Sequence, residues 1–308
     1  MADSPSCFRT IIGGQALIEG ILMRGPDKSS IVVRREDGSL STKTEPLKKP
    51  HPFLKLFLIR GVYSFGASMA GGVKALFYSA DEAFDQIEDE EKSKLELKLG
   101  SERFNNLMMT VAGVFGVLIP IVLFFILPTL LASTLDRAIG SGLLRNLCEG
   151  CIRILIFLIF MFSVSRTKDI QRTFAYHGAE HKSIACYESG AELTVENARK
   201  CPKEHPRCGT SFLLVVMIVS ILVFSVVRWS NPLLRLLMRL VLLPVVVAIS
   251  YEINRAVGRH DNAFTRAVRK PGLWLQHLTT REPDDSMLEV AITALKEVIP
   301  EKAGADRW

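Results

Sequence analysis

The chain has 308 residues, of which 48% are hydrophobic and 23% charged, and its formal net charge is +6 at pH 7. So many apolar residues beside so many charged ones predict that the apolar residues are concentrated in separate segments. The positive charge does not indicate nucleic-acid binding, because basic loops and anionic lipid headgroups at a membrane account for it. A disulfide framework is not expected, because the cytoplasm is reducing and the segment predicted to lie there contains Cys186, Cys201 and Cys208.

Residues 1–50 predict a small cytoplasmic α+β module. Ile31–Val33, the dipeptide Asp37-Gly38 and a polar return through Thr42 indicate a β-hairpin with a type I′ turn. Upstream, closely spaced glycines interrupt an apolar stretch and permit tight turns or close approach to a ligand. In that stretch, Glu19 and Arg24 are either site residues or the polar rim of a small sheet.

Residues 51–105 predict an amphipathic, interfacial helix followed by a charged linker. Pro52–Tyr78 is long enough to span a membrane, but it carries Lys55, Arg60 and Lys74, which favours a helix lying on the surface. Whether this segment crosses stays open. Asp81–Lys98 has charges of both signs, as a solvated linker does.

Four apolar segments predict two hairpins of transmembrane helices, at residues 106–165 and 211–251. The segments are Leu107–Leu131, Cys151–Val164, Ser211–Val227 and Leu233–Ser250. Glu149 and Arg153 form an i,i+4 pair at the start of the second span, and we expect them to reach the membrane interface. The fold class is therefore a mostly α membrane protein with about four transmembrane helices.

Basic residues set the expected orientation in the cell membrane. The loop at residues 166–210 carries many lysines and arginines, whereas the first connection has few, so this loop and both termini are expected to be cytoplasmic. The tail at residues 252–308 ends in a predicted amphipathic helix. Its apolar face should dock on the cytoplasmic module or on a cytosolic partner protein, with membrane lipids as the other partners.

The sequence His177-Gly-Ala-Glu180-His181 predicts a metal site in the cytoplasmic loop. On a helix, His177 and His181 share one face, and Glu180 lies beside them. Two imidazoles suit a divalent metal, zinc by ligand preference, and a neighbouring carboxylate suits the general base that takes a proton from water. The alternative is that these are ordinary surface residues.

Five segments of the chain resemble the YqhQ family of bacterial integral-membrane proteins. They are IIGGQALIEGILMRGP at Ile11–Pro26, YHGAEHKSIACYE at Tyr176–Glu188, HPRCGTSF at His205–Phe212, LPVVVAISYEINR at Leu243–Arg255 and PGLWLQHLTTREPDD at Pro271–Asp285. That family is classed as a domain of unknown function and as a predicted metal-dependent enzyme. The resemblance implies a multi-pass membrane protein. His260 and His277 depart from the family pattern and are left out of the site.

A catalytic zinc site commonly has three protein ligands and one open position, so a third ligand is expected. Glu252 and His205 are the two candidates. Glu252 follows the logic of proteins in which a downstream glutamate completes an H-x-x-E-H site, but it could instead pair with Arg255. His205, with Cys201 and Cys208 nearby, could instead be an ordinary loop residue.

Two functions of different class are compatible with these residues. The first is a membrane-embedded, metal-dependent hydrolase at the cytoplasmic face, with zinc-activated water and Glu180 as general base. The second is a non-catalytic membrane scaffold that the metal stabilises and that recruits a cytosolic partner. The number of metal ligands discriminates them, because structural sites are closed by four ligands.

Overall fold

The computed structural model describes residues 8–84, 101–134, 142–225, 232–260 and 262–307. The chain forms two compact units. The first comprises Met1–Phe84, Met161–Val216 and Pro244–Trp308, and the second comprises Asp85–Phe160 and Met217–Leu243. The protein is mostly helical with a small antiparallel sheet near its N-terminus, as the sequence predicts.

The sheet has four antiparallel strands in the order β1-β2-β3-β4. They are β1 (Gly13–Leu17), β2 (Gly20–Arg24), β3 (Lys28–Arg34) and β4 (Leu40–Pro46). The predicted hairpin is thus only half of the sheet, and its two-residue type I′ turn is wrong. The last paired residues of the two strands are Arg34 and Leu40, so residues 35–39 form the connection, which is longer than two residues. Gly38 in this connection has a φ of 83°.

Ten helices follow the sheet within the described residues. They are α1 (Ile59–Phe84), α2 (Ser101–Ile121), α3 (Leu127–Thr134), α4 (Gly142–Val164), α5 (Lys168–Glu188), α6 (Val195–Arg199), α7 (Gly209–Ser225), α8 (Pro232–Arg259), α9 (Ala263–Thr279) and α10 (Asp285–Val298). A 3₁₀ turn at Pro52–Lys55 precedes α1, and a π-helical turn at Val122–Ile126 joins α2 to α3. Most of the predicted charged linker, residues 85–98, lies outside the described residues.

Three described helical segments are long and apolar enough to cross a membrane. They are Gly113–Thr134, Leu144–Val164 and Leu236–Arg259. The expectation of four spans is therefore corrected: the third predicted span forms α7, an apolar helix of 17 residues. α1, with 26 residues, is long enough to cross a membrane but is not among the described helices that are also apolar enough. These segments indicate a membrane protein.

The core of the first unit lies between the sheet, α5 and α10. α10 is the predicted C-terminal amphipathic helix, and Met287, Leu288, Ala291 and Leu295 bury its apolar face against the sheet and α5. The Asp284 side chain accepts a hydrogen bond from the Met287 amide at 2.9 Å and so caps the start of the helix.

Residues Lys270–Gly272 are helical. These residues lie inside α9, which a capping box at Asn262 and Thr265 starts. Pro271 occupies the helix interior, where it supplies no amide hydrogen. At Gly272, a Cβ would lie 2.3 Å from the Ser211 hydroxyl oxygen, so the glycine permits close packing of α9 against the start of α7.

A cluster of charged side chains is buried in the second unit. Arg239 pairs with both carboxylate oxygens of Glu149, at 2.9 Å for Nη2–Oε2, and Arg153 Nη2 lies 3.4 Å from Glu149 Oε1. Arg153 Nε donates to the Phe124 carbonyl in the π-helical turn at 2.8 Å. The Glu149–Arg153 pair was expected to reach the membrane interface, and this is wrong. The two side chains are only 1% and 7% exposed, because Glu149 also pairs with Arg239 in the interior of the second unit.

Candidate metal centre

Helix α5 carries the three residues of the sequence motif. His177, Glu180 and His181 lie in its middle, and every residue from Gly178 to Ile184 is buried. Gly178 is required there, since a Cβ at that position would lie 2.1 Å from the Arg281 carbonyl oxygen. The glycine lets the segment before α10 pass close to the helix beside His177. The local sequence therefore buries the motif instead of leaving it on a surface.

Cys208, which lies immediately before α7, completes a cluster with the two histidines. Its Sγ lies 3.2 Å from His177 Nε2. His177, His181 and Cys208 each offer one ligand atom, and these three atoms lie within 4.8 Å of one another. The sequence placed Cys208 near His205 only. A cysteine is a common zinc ligand, and this alone could have marked Cys208 as a candidate. Its distance from the histidines could not be predicted, because it depends on the path of the chain between α5 and α7.

Backbone carbonyls orient both imidazoles. His177 Nδ1 lies 2.8 Å from the Thr279 carbonyl oxygen, and His181 Nδ1 lies 2.5 Å from the Lys203 carbonyl oxygen. Because a carbonyl oxygen can only accept a hydrogen bond, each Nδ1 carries the proton and donates it. The Nε2 atoms are then the ones available to a metal. Outer hydrogen bonds of this kind are usual for metal-binding histidines.

The residues fit a zinc ion. His181 Nε2 is buried and has no hydrogen-bond partner within the part of the chain that the structure describes, and a buried polar atom of this kind requires an explanation. One thiolate and two imidazoles are donors that zinc prefers. Three such ligands leave one coordination position for water or substrate.

The charges of the cluster also suit a metal. Burial alone would raise the pKa of the Cys208 thiol, but the imidazoles of His181 and His177 outweigh it and hold that pKa well below its ordinary value. Burial disfavours the charged form of His177, yet the Cys208 thiolate outweighs it and raises the pKa of His177 to about 9. Cys208 is therefore held toward the thiolate, the form that binds metals, and a metal at His177 Nε2 would displace the proton that this nitrogen shares with the thiolate.

Glu180 lies against the edge of the sheet. Its Oε1 accepts a hydrogen bond from the Gly14 amide of β1 at 2.9 Å. A Cβ at Gly14 would lie 3.0 Å from Glu180 Cγ and 2.7 Å from the Leu22 carbonyl oxygen, so glycine permits this approach. Burial raises the pKa of Glu180, and the imidazoles of His181 and His177 offset part of this effect. A carboxyl group whose pKa is raised in this way holds a proton more readily than an exposed glutamate, as a general base must.

His205, one of the two predicted third ligands, lies next to the cluster but not in it. Its ring centroid is 5.6 Å from that of His181, and its Nε2 lies 3.5 Å from Glu188 Oε2. Burial lowers the pKa of His205, so its ring is neutral at pH 7. Glu188 also pairs with Arg207 and accepts the Thr10 amide at 2.8 Å.

Glu252, the other predicted third ligand, is engaged elsewhere. Its two carboxylate oxygens accept hydrogen bonds from Arg60 at 2.7 and 2.5 Å, not from the expected Arg255. Of the two residues left out of the site, His277 lies 3.3 Å from Glu204, and His260 is exposed. Neither belongs to the cluster.

The two N-terminal candidates have separate positions. The Glu19 carboxylate binds Arg172 of α5 and accepts a hydrogen bond from the Tyr176 hydroxyl at 3.2 Å, so it holds the sheet to that helix. Arg24 lines a cavity on the other side of β1 and β2, next to α1.

Comparison with known proteins places this fold in a family. The family model described as "Protein of unknown function (DUF1385)" matches residues 56–301. The chain belongs to this family. It is also similar to the uncharacterized protein YqhQ of Bacillus subtilis (strain 168), with 34% identity over 293 residues that cover 93% of this chain and 92% of that protein. No solved structure matches. The DUF1385 model includes His177, His181 and Cys208 but not the sheet.

Proposed function

We propose that the chain is a metal-dependent hydrolase at a membrane, with zinc held by His177, His181 and Cys208 and with Glu180 as general base. The observation that carries the proposal is the convergence of one thiolate and two oriented imidazoles beside a buried carboxylate. Cys208 takes the place of Glu252 and His205 as third ligand in this proposal. Zinc in such a site would lower the pKa of water and polarise a carbonyl or phosphoryl oxygen.

The side chains of the site have separate roles in the proposed reaction. His177 and His181 each hold a proton at Nδ1 for a backbone carbonyl, which fixes their ring orientation. Glu180 keeps Oε1 on the Gly14 amide, so Oε2 is the atom that takes the proton from water and returns it to the leaving group. The buried surroundings exclude bulk water, which strengthens these electrostatic interactions.

In this proposal the protein lies in the cell membrane, with the metal centre and both termini on the cytoplasmic side. Because only an even number of crossings returns the chain to the same side, the proposal requires the apolar helix α7 to cross in addition to the three longer segments. The basic residues of the segment that carries α5 support that side, because positively charged loops remain cytoplasmic. The three apolar helical segments support a multi-pass protein.

One observation favours the alternative, a non-catalytic scaffold that the metal stabilises. His181 is 1% exposed, and neutral His205 lies beside it. If the His205 ring turned from Glu188 toward the cluster, it would supply a fourth ligand and close the site, as in structural zinc sites. A cytosolic partner would then be recruited by another surface.

Metal content tests the ligand set. We expect the detergent-purified protein to hold about one zinc ion per chain, and Cys208→Ser, His177→Ala or His181→Ala to lose most of it, because each removes one of three ligands. Inductively coupled plasma mass spectrometry measures this. The exposed Cys151→Ser and His277→Ala are controls matched by residue type and should retain the metal.

Two further variants sharpen the result. Glu252→Gln should retain metal, because that side chain pairs with Arg60. His205→Ala should also retain it if the site is open, whereas a large loss would favour the closed, structural site. Normal metal content in both Cys208→Ser and His181→Ala would contradict the proposed centre.

Thiol labelling tests the orientation. Single cysteines replacing Ala191, in the loop after α5, or Ala303 should resist impermeant reagents in intact cells, because both positions are proposed to be cytoplasmic. A cysteine at Ser141, outside the described residues and between the first two spans, should react. The background keeps Cys208, which is buried, and replaces the other cysteines. Outside labelling at Ala191 would overturn the orientation.

A further inference from the structure

A cavity of about 310 Å³ lies in the first unit between α1 and the strands β1 and β2. Its volume falls in the range of pockets that bind small molecules. Glycines form much of its wall, including Gly13, Gly14, Gly71 and Gly72. Walls without side chains let a ligand approach the backbone closely.

Three side chains with hydrogen-bond donors line this cavity: Arg24 at the end of β2, Gln15 on β1 and Ser68 on α1. Arg24 Nη1 lies 3.5 Å from the Ser68 hydroxyl oxygen. No carboxylate pairs with Arg24 in the described ranges, and it is the one charged residue that lines the cavity there. The cavity therefore carries a net positive charge.

The glycines of α1 make room for two of these donors. A Cβ at Gly72 would lie 2.3 Å from Gln15 Oε1, and a Cβ at Gly71 would lie 3.5 Å from Arg24 Nη2. Both polar side chains thus lie directly against the helix. The position of Gln15 requires glycine at residue 72, whereas Gly71 leaves open space beside Arg24.

Gly14 forms a wall that the cavity shares with the candidate metal centre. This residue lines the cavity, and its amide donates to Glu180 Oε1 at 2.9 Å. One residue of β1 therefore separates the group proposed as general base from the positively charged cavity. A ligand bound in the cavity would therefore lie close to Glu180.

We infer that this cavity binds the phosphate group of the substrate. The guanidinium, hydroxyl and amide donors on separate walls suit the three free oxygens of a phosphate ester better than the two oxygens of a carboxylate, and arginine binds phosphate in a bidentate manner. That the bound phosphate belongs to a substrate rests on the proposed function, whereas the binding of phosphate by the cavity does not. The phosphate can belong to a lipid headgroup or to a soluble ester.

Two probes distinguish these sources. Inorganic phosphate is titrated by calorimetry into the full chain in an uncharged detergent, and native mass spectrometry counts phosphatidic acid bound to the full chain from phosphatidylcholine nanodiscs that contain it. We expect Arg24→Gln to weaken binding of the responding probe by at least about tenfold, because a charged hydrogen-bond donor is lost. Lys28→Gln, which removes an exposed charge from β3, should not.

Gly71→Leu and Gly66→Leu form a matched pair on α1. Gly71 lines the cavity, and its Cβ would meet Arg24 at an ordinary contact distance, so leucine fills the cavity without breaking the fold. A Cβ at Gly66 would have no atom within 4 Å. We expect Gly71→Leu to abolish binding of the probe and Gly66→Leu to leave it unchanged. This pair decides the question if Arg24→Gln fails to fold.

The assignment is overturned if neither probe binds the wild-type chain, or if Gly71→Leu binds as the wild type does. Phosphate bound at the metal centre would give that second result. Response to inorganic phosphate identifies a soluble ester, and response to phosphatidic acid alone identifies a lipid headgroup. Failure of the metal-content test would remove the hydrolase and leave these titrations unchanged, so the two failures are distinguishable.

Discussion

Glu180→Gln should retain zinc and its place in the membrane but lose function. Glutamine keeps an oxygen that can accept the Gly14 amide, so the contact with the sheet survives while the carboxylate is removed. Loss of a general base costs on the order of 10² to 10⁴ in rate. Because the substrate is unidentified, the readout is rescue of a strain that lacks the gene, beside metal content and protein level.

Glu192→Gln is the matched control, since Glu192 is exposed in the loop that follows α5. It should restore the strain as the wild type does. A Glu180→Gln protein that binds metal, reaches normal level and fully restores the strain would contradict the role of general base. That result would favour the scaffold, in which the carboxylate serves only to hold β1.

Glu149→Gln should strongly destabilise the second unit. Glu149 is the carboxylate that Arg153 and Arg239 share, and its removal leaves two buried guanidinium groups without it. Breaking a buried ion pair by removing one partner typically costs about 3–5 kcal/mol. We expect the unfolding temperature in detergent to fall by on the order of 10 °C, measured by the loss of the monodisperse peak in size-exclusion chromatography after heating.

Glu196→Gln provides a control with the same spacing, because Glu196 and Lys200 form an exposed i,i+4 pair. It should leave the unfolding temperature nearly unchanged, as exposed pairs contribute little. Replacing the whole cluster by Glu149→Leu, Arg153→Met and Arg239→Met should recover most of the stability. Unfolding of Glu149→Gln at the wild-type temperature would show that the cluster does not stabilise this unit.

The long apolar helices could be predicted because their signal is local. Leu107–Leu131 is uncharged throughout, and α2, the π-helical turn and α3 cover that range. Strands β1 and β2 could not, because their glycines remove the alternation of apolar and polar residues that marks a strand. Gly14 is needed because a Cβ there would lie close to Glu180, a residue that is distant in sequence and adjacent only in the fold.

The same distinction applies to the site. His177 and His181 could be predicted as a pair, because one helix turn relates them. The structure brings Cys208 to them, not Glu252, through contacts between distant segments that no local pattern encodes. Likewise, the burial of Glu149 with Arg239 depends on helix packing, whereas its pairing with Arg153 follows from their spacing.

Residues 10–19 run antiparallel along α5 and fasten it at three levels. Glu19 binds Arg172 near its start, the Gly14 amide binds Glu180 in its middle, and the Thr10 amide binds Glu188 at its end. The DUF1385 model begins at residue 56 and therefore excludes the N-terminal residues that make these three contacts. A fragment cut at that border would keep every proposed zinc ligand and the packing of α5 on α10, but it would lose these three polar contacts to α5. The compact first unit therefore extends beyond the residues that the family model matches.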